Sequence, residues 1–221
     1  MKIATWNVER LKHCASLDKL LQACERVQAD ILVLTETDDR LRPDYPYWIS
    51  TLPAAELLPK MYRPTERRVS VFTRYPCIRQ YPTFDPYTAV CVELETDRGT
   101  LLVYGTVMGV FGNRQPTFRE DLVKQCEDFA RLCAGQKDIC ICGDWNQSFG
   151  DNYYYTCAGR DSLQQTLVRN SIRLLTGGRS ECIDHIAVSE SFAGEASVEI
   201  EEWNKDKTLS DHKGISVAWG R

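Results

Sequence analysis

Apolar and polar positions fall into many short runs and only a few long ones, which predicts a sheet-rich chain. Residues 2–8 alternate, with Ile3, Thr5 and Asn7 on one face and Ala4, Trp6 and Val8 on the other, the period of a strand. Leu17, Leu20, Leu21, Cys24 and Val27 recur at helical spacing and predict a helix over 16–28, with Ser16 as its N-cap. Residues 31–34 read as a buried strand with Glu36 just past its end. Strands are predicted at 47–51 and 68–73, and a hairpin pairs 89–95 with 100–108 around Asp97-Arg98-Gly99. Thr117 and Glu120 have the spacing of a capping box, for a helix through Cys133 with Phe118, Leu122, Cys126 and Phe129 on one face. Residues 139–142 form a short buried run that enters a turn at Gly143. A helix over 162–175 is expected to stop at Gly177-Gly178, and strands at 182–188, 197–203 and 214–219 complete the chain. Many strands and few helices imply two packed sheets with helices outside, because each helix has one apolar face to bury. No linker or shift in composition divides residues 1–221, so a single domain is expected.

Composition narrows the function classes. Hydrophobic residues make up 43% and charged residues 26%, enough apolar material for a core in an ordinary globular protein. The net charge of -4 argues against gripping long duplex nucleic acid by bulk electrostatics, and leaves room for a local basic groove. No apolar run reaches membrane-spanning length, and the N-terminus shows no secretory pattern. The ten cysteines include no CxxC pair, and Cys140-x-Cys142 on a buried strand has the wrong geometry for a zinc knuckle. Reduced, buried thiols in a cytoplasmic protein are the expectation.

The candidate chemistry shares one position type. Asn7, Glu36, Asp144, Asn146, Asp184 and Asp211-His212 all stand at or beside strand ends, where two stacked sheets can bring them together. Glu36 and Asp211 offer hard oxygen ligands and Asn7 a neutral one, a set suited to Mg2+ or Mn2+. Each has a plainer reading: Asn7 as a turn cap, Glu36 as a solvated loop acid, Asp144 and Asn146 as a capped loop, Asp211-His212 as surface decoration. Asp184 sits in the apolar run CIDHIAVS, where a carboxylate requires a partner. His185 points to the opposite face and reads as structural.

TWN at 5–7, LTET with Glu36, GDWN at 143–146, CIDHI with Asp184 and SDH at 210–212 follow the order found in the endonuclease/exonuclease/phosphatase superfamily. The chain resembles its catalytic domain over residues 5–212. The resemblance implies a four-layer α/β sandwich of two mixed sheets with outer helices. It implies Glu36 as the main metal ligand with Asn7 beside it and Asp211 assisting. Asp144 resembles the residue that orients or deprotonates the attacking water, and Asn146 the amide that binds the reacting phosphate. Asp184 looks like the acid that orients His212, which would stabilise charge on the phosphoryl oxygens. Two departures stand out. Many members carry His or Tyr at the end of the strand that here reads VYGTVMGV, where this chain offers Thr106. Thr35 stands where several nucleases carry Gln.

The reading that results is a Mg2+- or Mn2+-dependent phosphodiesterase or nuclease acting on a phosphoester substrate such as DNA or RNA. Arg63, Arg67, Arg68, Arg74, Arg114 and Arg119 are candidate phosphate contacts, and Tyr153, Tyr154 and Tyr155 candidate stacking residues; a solvated face and loop packing are the plainer readings. The alternatives are a phosphatase for a small-molecule or lipid phosphomonoester and, more distantly, a non-catalytic binding protein that keeps the fold.

Overall fold

The computed structural model describes residues 1–12, 17–195 and 197–220. The twelve strands are β1 (Lys2–Asn7), β2 (Ile31–Asp38), β3 (Tyr47–Ser50), β4 (Glu66–Thr73), β5 (Cys77–Tyr81), β6 (Ala89–Thr96), β7 (Gly99–Val107), β8 (Ile139–Asp144), β9 (Ile172–Leu174), β10 (Asp184–Ser189), β11 (Val198–Trp203) and β12 (Gly214–Trp219). They form two six-stranded sheets, ordered β11-β12-β1-β2-β4-β3 and β5-β6-β7-β8-β10-β9. Each sheet is mixed: β1 runs parallel to β2 and β7 parallel to β8, while the other pairs are antiparallel.

The alternation predicted from the sequence sorts side chains into layers. Ile3, Val33, Val69 and Val71 of the first sheet meet Val92, Val103, Cys142 and Ile186 of the second in a central core. Leu20 and Cys24 of α1 (Leu17–Arg26) cover Ala4, Trp6, Leu32 and Leu34 on the outside of the first sheet. Phe118, Leu122 and Phe129 of α2 (Phe118–Cys133), with Leu163 and Leu167 of α3 (Cys157–Arg169), cover Leu102, Tyr104 and Ile141 on the outside of the second. This is the expected sandwich. A short α4 (Glu190–Ala193) follows β10.

Several expectations need correction. Thr117 is already helical, at φ -75 and ψ -18, and its side chain caps nothing, so the capping box does not form. α3 begins at Cys157, five residues before the expected start, because Thr156 accepts the Gly159 N–H as N-cap at 3.1 Å. The segment expected to end that helix instead makes β9, paired with β10. β5 went unpredicted because it is an edge strand whose side chains are mostly exposed, so no buried face marks it. Cys24, Cys91, Cys140, Cys142 and Cys182 are buried, whereas Cys77 and Cys157 are exposed. Ser16, the expected cap of α1, and Cys14 lie outside the described residues. No described helix is long and apolar enough to cross a membrane.

Gly143 shows why the end of β8 needs glycine. Its φ is +136, and a Cβ there would lie 2.0 Å from the Thr106 carbonyl oxygen. Only glycine lets β8 run this close to β7 while aiming Asp144 into the gap between the sheets.

Candidate active site

Asp144 and Asp184 stand opposite each other in the antiparallel β8–β10 register. Two carboxylates placed side by side in one sheet need counter-charge, and it comes from the other sheet. His212, in the loop before β12, lays Nδ1 against Asp184 Oδ2 at 2.6 Å. Asn7, at the end of β1, donates from Nδ2 to Asp144 Oδ2 at 3.0 Å. The other Asp144 oxygen accepts the Asn146 backbone N–H at 2.9 Å. Glu36, in β2, adds its charge to that felt by Asp144. Asn7, Glu36, Asp144, Asp184 and His212 thus gather at one end of the sandwich. Asp211 lies at the rim, exposed, 3.6 Å from His212 Nε2.

Electrostatics follow from this burial. Burial pushes the Asp144 carboxyl up; His212 opposes, Asp184 and Glu36 reinforce, and the result is about 7. Burial alone would lower the His212 imidazole, but Asp184, Asp144 and Asp211 overcome it and raise it to about 10. His212 is therefore an imidazolium at neutral pH, beside an acid poised near neutrality.

Asn146 adopts φ +50 and turns back on the β7 loop, where its Nδ2 donates to the Met108 and Gly109 carbonyls at 2.9 and 3.3 Å. As placed, its amide nitrogen is already engaged. Thr106 does not reach the site: its hydroxyl donates to Gln125 Oε1 on α2 at 2.7 Å, on the outer face. Val107, the register partner of Asp144, holds the site-facing position instead and offers no hydrogen bond. Trp145 packs away from the site, against Phe149 and His185. Among the tyrosines, Tyr154 accepts the Asn113 N–H, Tyr155 lies under Arg160, and Tyr153 is exposed and bound by Lys207 at 3.0 Å.

Residues missed from sequence hold the site in place. Ser210 donates to the Asn7 carbonyl at 2.7 Å and accepts the His212 N–H. Trp6 Nε1 and Asn204 Nδ2 both donate to the His212 carbonyl, at 3.0 and 2.7 Å. Asn113 Nδ2 donates to the Asn146 carbonyl at 2.7 Å. Ser210 and Trp6 sat inside motifs already recognised; Asn113 and Asn204 carried no signal beyond being loop polar residues.

His185 fixes the loop after Asp144 from below. Its Nε2 donates to the Gln147 carbonyl at 2.8 Å, so Nδ1 accepts from the Thr176 hydroxyl at 3.0 Å. Burial lowers its pKa from 6.5 to about 4. Between those values the unfolded chain binds a proton that the folded one refuses, so stability is full above pH 6.5 and is lost as pH falls toward 4. The expected loss is about 3 kcal/mol. Urea unfolding at pH 7 and 4.5 checks it: His185→Gln should lose less stability between those pH values than the wild type.

The donor set has the chemistry of a divalent-cation site. It consists of hard oxygens, and no thiolate or second histidine competes. Glu36 takes φ +46, is pushed up in pKa first by burial, and accepts no hydrogen bond from a described residue. Asp184 Oδ1 is likewise buried without a partner. Among the described residues, no three His, Cys, Asp or Glu side chains stand together so as to hold a metal ion by themselves. Mg2+ does not require one, since it binds through one or two carboxylates and keeps several waters. The residues fit that cation.

Two packed six-stranded sheets bring the acids, the amide and the imidazole to one mouth of an α/β sandwich. The chain belongs to the Endonuclease/Exonuclease/phosphatase family, whose model matches residues 4–212 and whose members are phosphoester hydrolases. The endonuclease domain of TRAS1, a telomere-specific non-LTR retrotransposon, is similar with TM-score 0.71 and 16% identity, covering 98% of this chain and 96% of that one. A 3′-5′ exonuclease, NExo, from Neisseria meningitidis aligns over 100% of both chains with TM-score 0.69 and 19% identity. NExo from Neisseria, as a 3′ phosphatase bound to product DNA hairpin, gives TM-score 0.69 and 16% identity over 100% of both. A beta toxin from Staphylococcus aureus with bound magnesium ions gives TM-score 0.67 and 15% identity over 99% of both. At these identities the likeness shows the fold. No curated protein sequence matches the chain.

Proposed function

We propose that the protein is a divalent-metal-dependent phosphodiesterase or nuclease that cleaves by in-line attack of water. The observation that carries this reading is the crossing of the two sheets: Asp184 to His212 at 2.6 Å and Asn7 to Asp144 at 3.0 Å. Asp144, near neutrality, takes the proton of the attacking water. His212, held as imidazolium by Asp184, donates to a phosphoryl oxygen as negative charge grows there. Mg2+ would be held by Glu36, with Asn7 and Asp211 as further donors, and supplies neutralisation of the phosphoryl oxygens. Asn146 binds the phosphate if its amide leaves the Gly109 carbonyl, the longer of its two contacts.

The diester is favoured over the monoester by the rim of the site. Phe111 and Tyr153 are each about half exposed, 52% and 48%, beside Arg68 and Lys207, and offer faces on which bases stack. DNA or RNA is the substrate class this rim suits. The phosphatase reading draws support from the cavity beside His212, only about 260 Å³, with the Lys207–Tyr153 hydrogen bond beside it.

A matched diester and monoester assayed with Mg2+, then with chelator, tests the proposal. Diester hydrolysis that chelation abolishes and Mg2+ restores is expected. Hydrolysis of the monoester alone moves the phosphatase to first place, and turnover that survives chelation refutes the metal requirement.

A further inference from the structure

Arg68 is a buried cation near Glu36 to which the proposed reaction gives no role. Of its neighbours in sequence, Arg67 is paired with Asp39 at 2.6 Å and Arg74 stacks over Tyr45. Arg68 is 5% exposed, its Nη1 is buried with no hydrogen-bond partner, and it enters no ion pair with a described residue. Burial lowers its pKa, and Tyr62, Glu36 and Asp85 oppose that without closing an ion pair on it, so an added anion would be favoured.

Its position follows from the backbone. The β2–β4 register pairs Thr35 with Val69 and Thr37 with Arg67, which puts Glu36, at φ +46, opposite Arg68 with the register unbroken on either side. Arg68 lies over the Tyr62 ring at 4.6 Å and 5.8 Å from Phe111, which comes from the other sheet's loop. Two further cations face Glu36: Arg10, which is paired with Glu66 at 2.8 Å and also lies over Tyr62, and Lys12, which is exposed. The charges acting on Glu36 include both His212 and Arg68, so Glu36 stands between the site's imidazole and this guanidinium in the field it feels. In a chain of net charge -4, Arg68 brings a guanidinium and two aromatic neighbours to the Glu36 side of the site.

We propose that Arg68, with Tyr62 and Phe111 as walls, forms a second anion subsite that takes a phosphate flanking the one being cleaved. The subsite rests on the hydrolase reading for its neighbour, and it deepens that reading: the substrate carries at least two phosphates separated by one sugar, as a nucleic-acid strand does. Planar guanidinium donors match phosphate oxygens, and an aromatic wall holds the guanidinium flat.

The test is equilibrium binding by calorimetry in the presence of Mg2+, using thymidine 3′,5′-bisphosphate against thymidine 3′- and 5′-monophosphate. The wild type should bind the bisphosphate at least about tenfold more tightly than either monophosphate, one charged contact's worth. Arg68→Gln should erase that preference and Arg68→Lys restore part of it, with melting temperatures recorded to show that both variants fold. Equal affinity of the wild type for all three ligands overturns the subsite, as does a preference that survives Arg68→Gln. An equal loss on all three ligands assigns Arg68 to the reacting centre or to packing instead, and also overturns it. Because binding is read without turnover, failure of the hydrolysis assay and failure of the subsite are separate results.

Discussion

Asp144→Asn should lower hydrolysis by about 10²–10⁴-fold while the protein stays folded. The side chain sits where an acid must work: 4% exposed, opposite Asp184, with Asn7 and the Asn146 N–H fixing its two oxygens. Asparagine keeps the shape and removes the proton acceptor. One of the two hydrogen bonds is lost, because the new Nδ2 faces a donor, and a buried charge is lost with it. These effects oppose each other, so stability should stay within about 2 kcal/mol of the wild type. Single-turnover rates and urea unfolding of the same preparation check both halves. A variant that is folded and fully active would remove Asp144 from the reaction.

His212→Ala should cost about 10²–10³-fold in kcat, the scale of losing a preorganised donor to a developing oxyanion. Asp184→Asn should cost a comparable amount without touching substrate, since Asp184 holds the imidazole at 2.6 Å and keeps it charged. Two residues that act as a unit do not add. The double variant should therefore be about as slow as His212→Ala alone, and a double-mutant cycle on kcat measures this. Fully additive losses would mean that Asp184 works independently of His212.

The sequence carried the fold where strands were buried. β1, β2, β4, β6, β7 and β12 are buried along nearly their whole length, and they read as strands either by alternation, as in β1, or as a short apolar run, as in β2. It failed where nothing was buried, at β5, and where local chemistry gave two answers. Thr117-x-x-Glu120 satisfies the capping-box pattern, yet the preceding turn already hydrogen-bonds Phe118 N to the Gln115 carbonyl, so the helix does not need the threonine side chain. At the site, the acids and His212 were legible because polar residues at strand ends are conspicuous in an apolar background. Thr106 was not, since parity along a strand decides its face: one residue separates a hydroxyl bonded to Gln125 from the position beside Asp144. Arg68 was one arginine among several, and only its burial opposite Glu36 distinguishes it.

The candidate site is assembled from two plates in which no described strand of one pairs with a strand of the other, so its tolerances are set by the filling between them. Gly105 is the thinnest point of that filling: a Cβ there would come within 2.8 Å of Val69 and 3.1 Å of Val33. The hydrocarbon layer acts as a gauge block, cut to a thickness that lets an imidazole on one plate meet a carboxylate on the other. Substitutions at its far, wholly apolar residues can then detune the chemistry without altering any polar atom, and drift in the core and drift in the active site become one evolutionary variable.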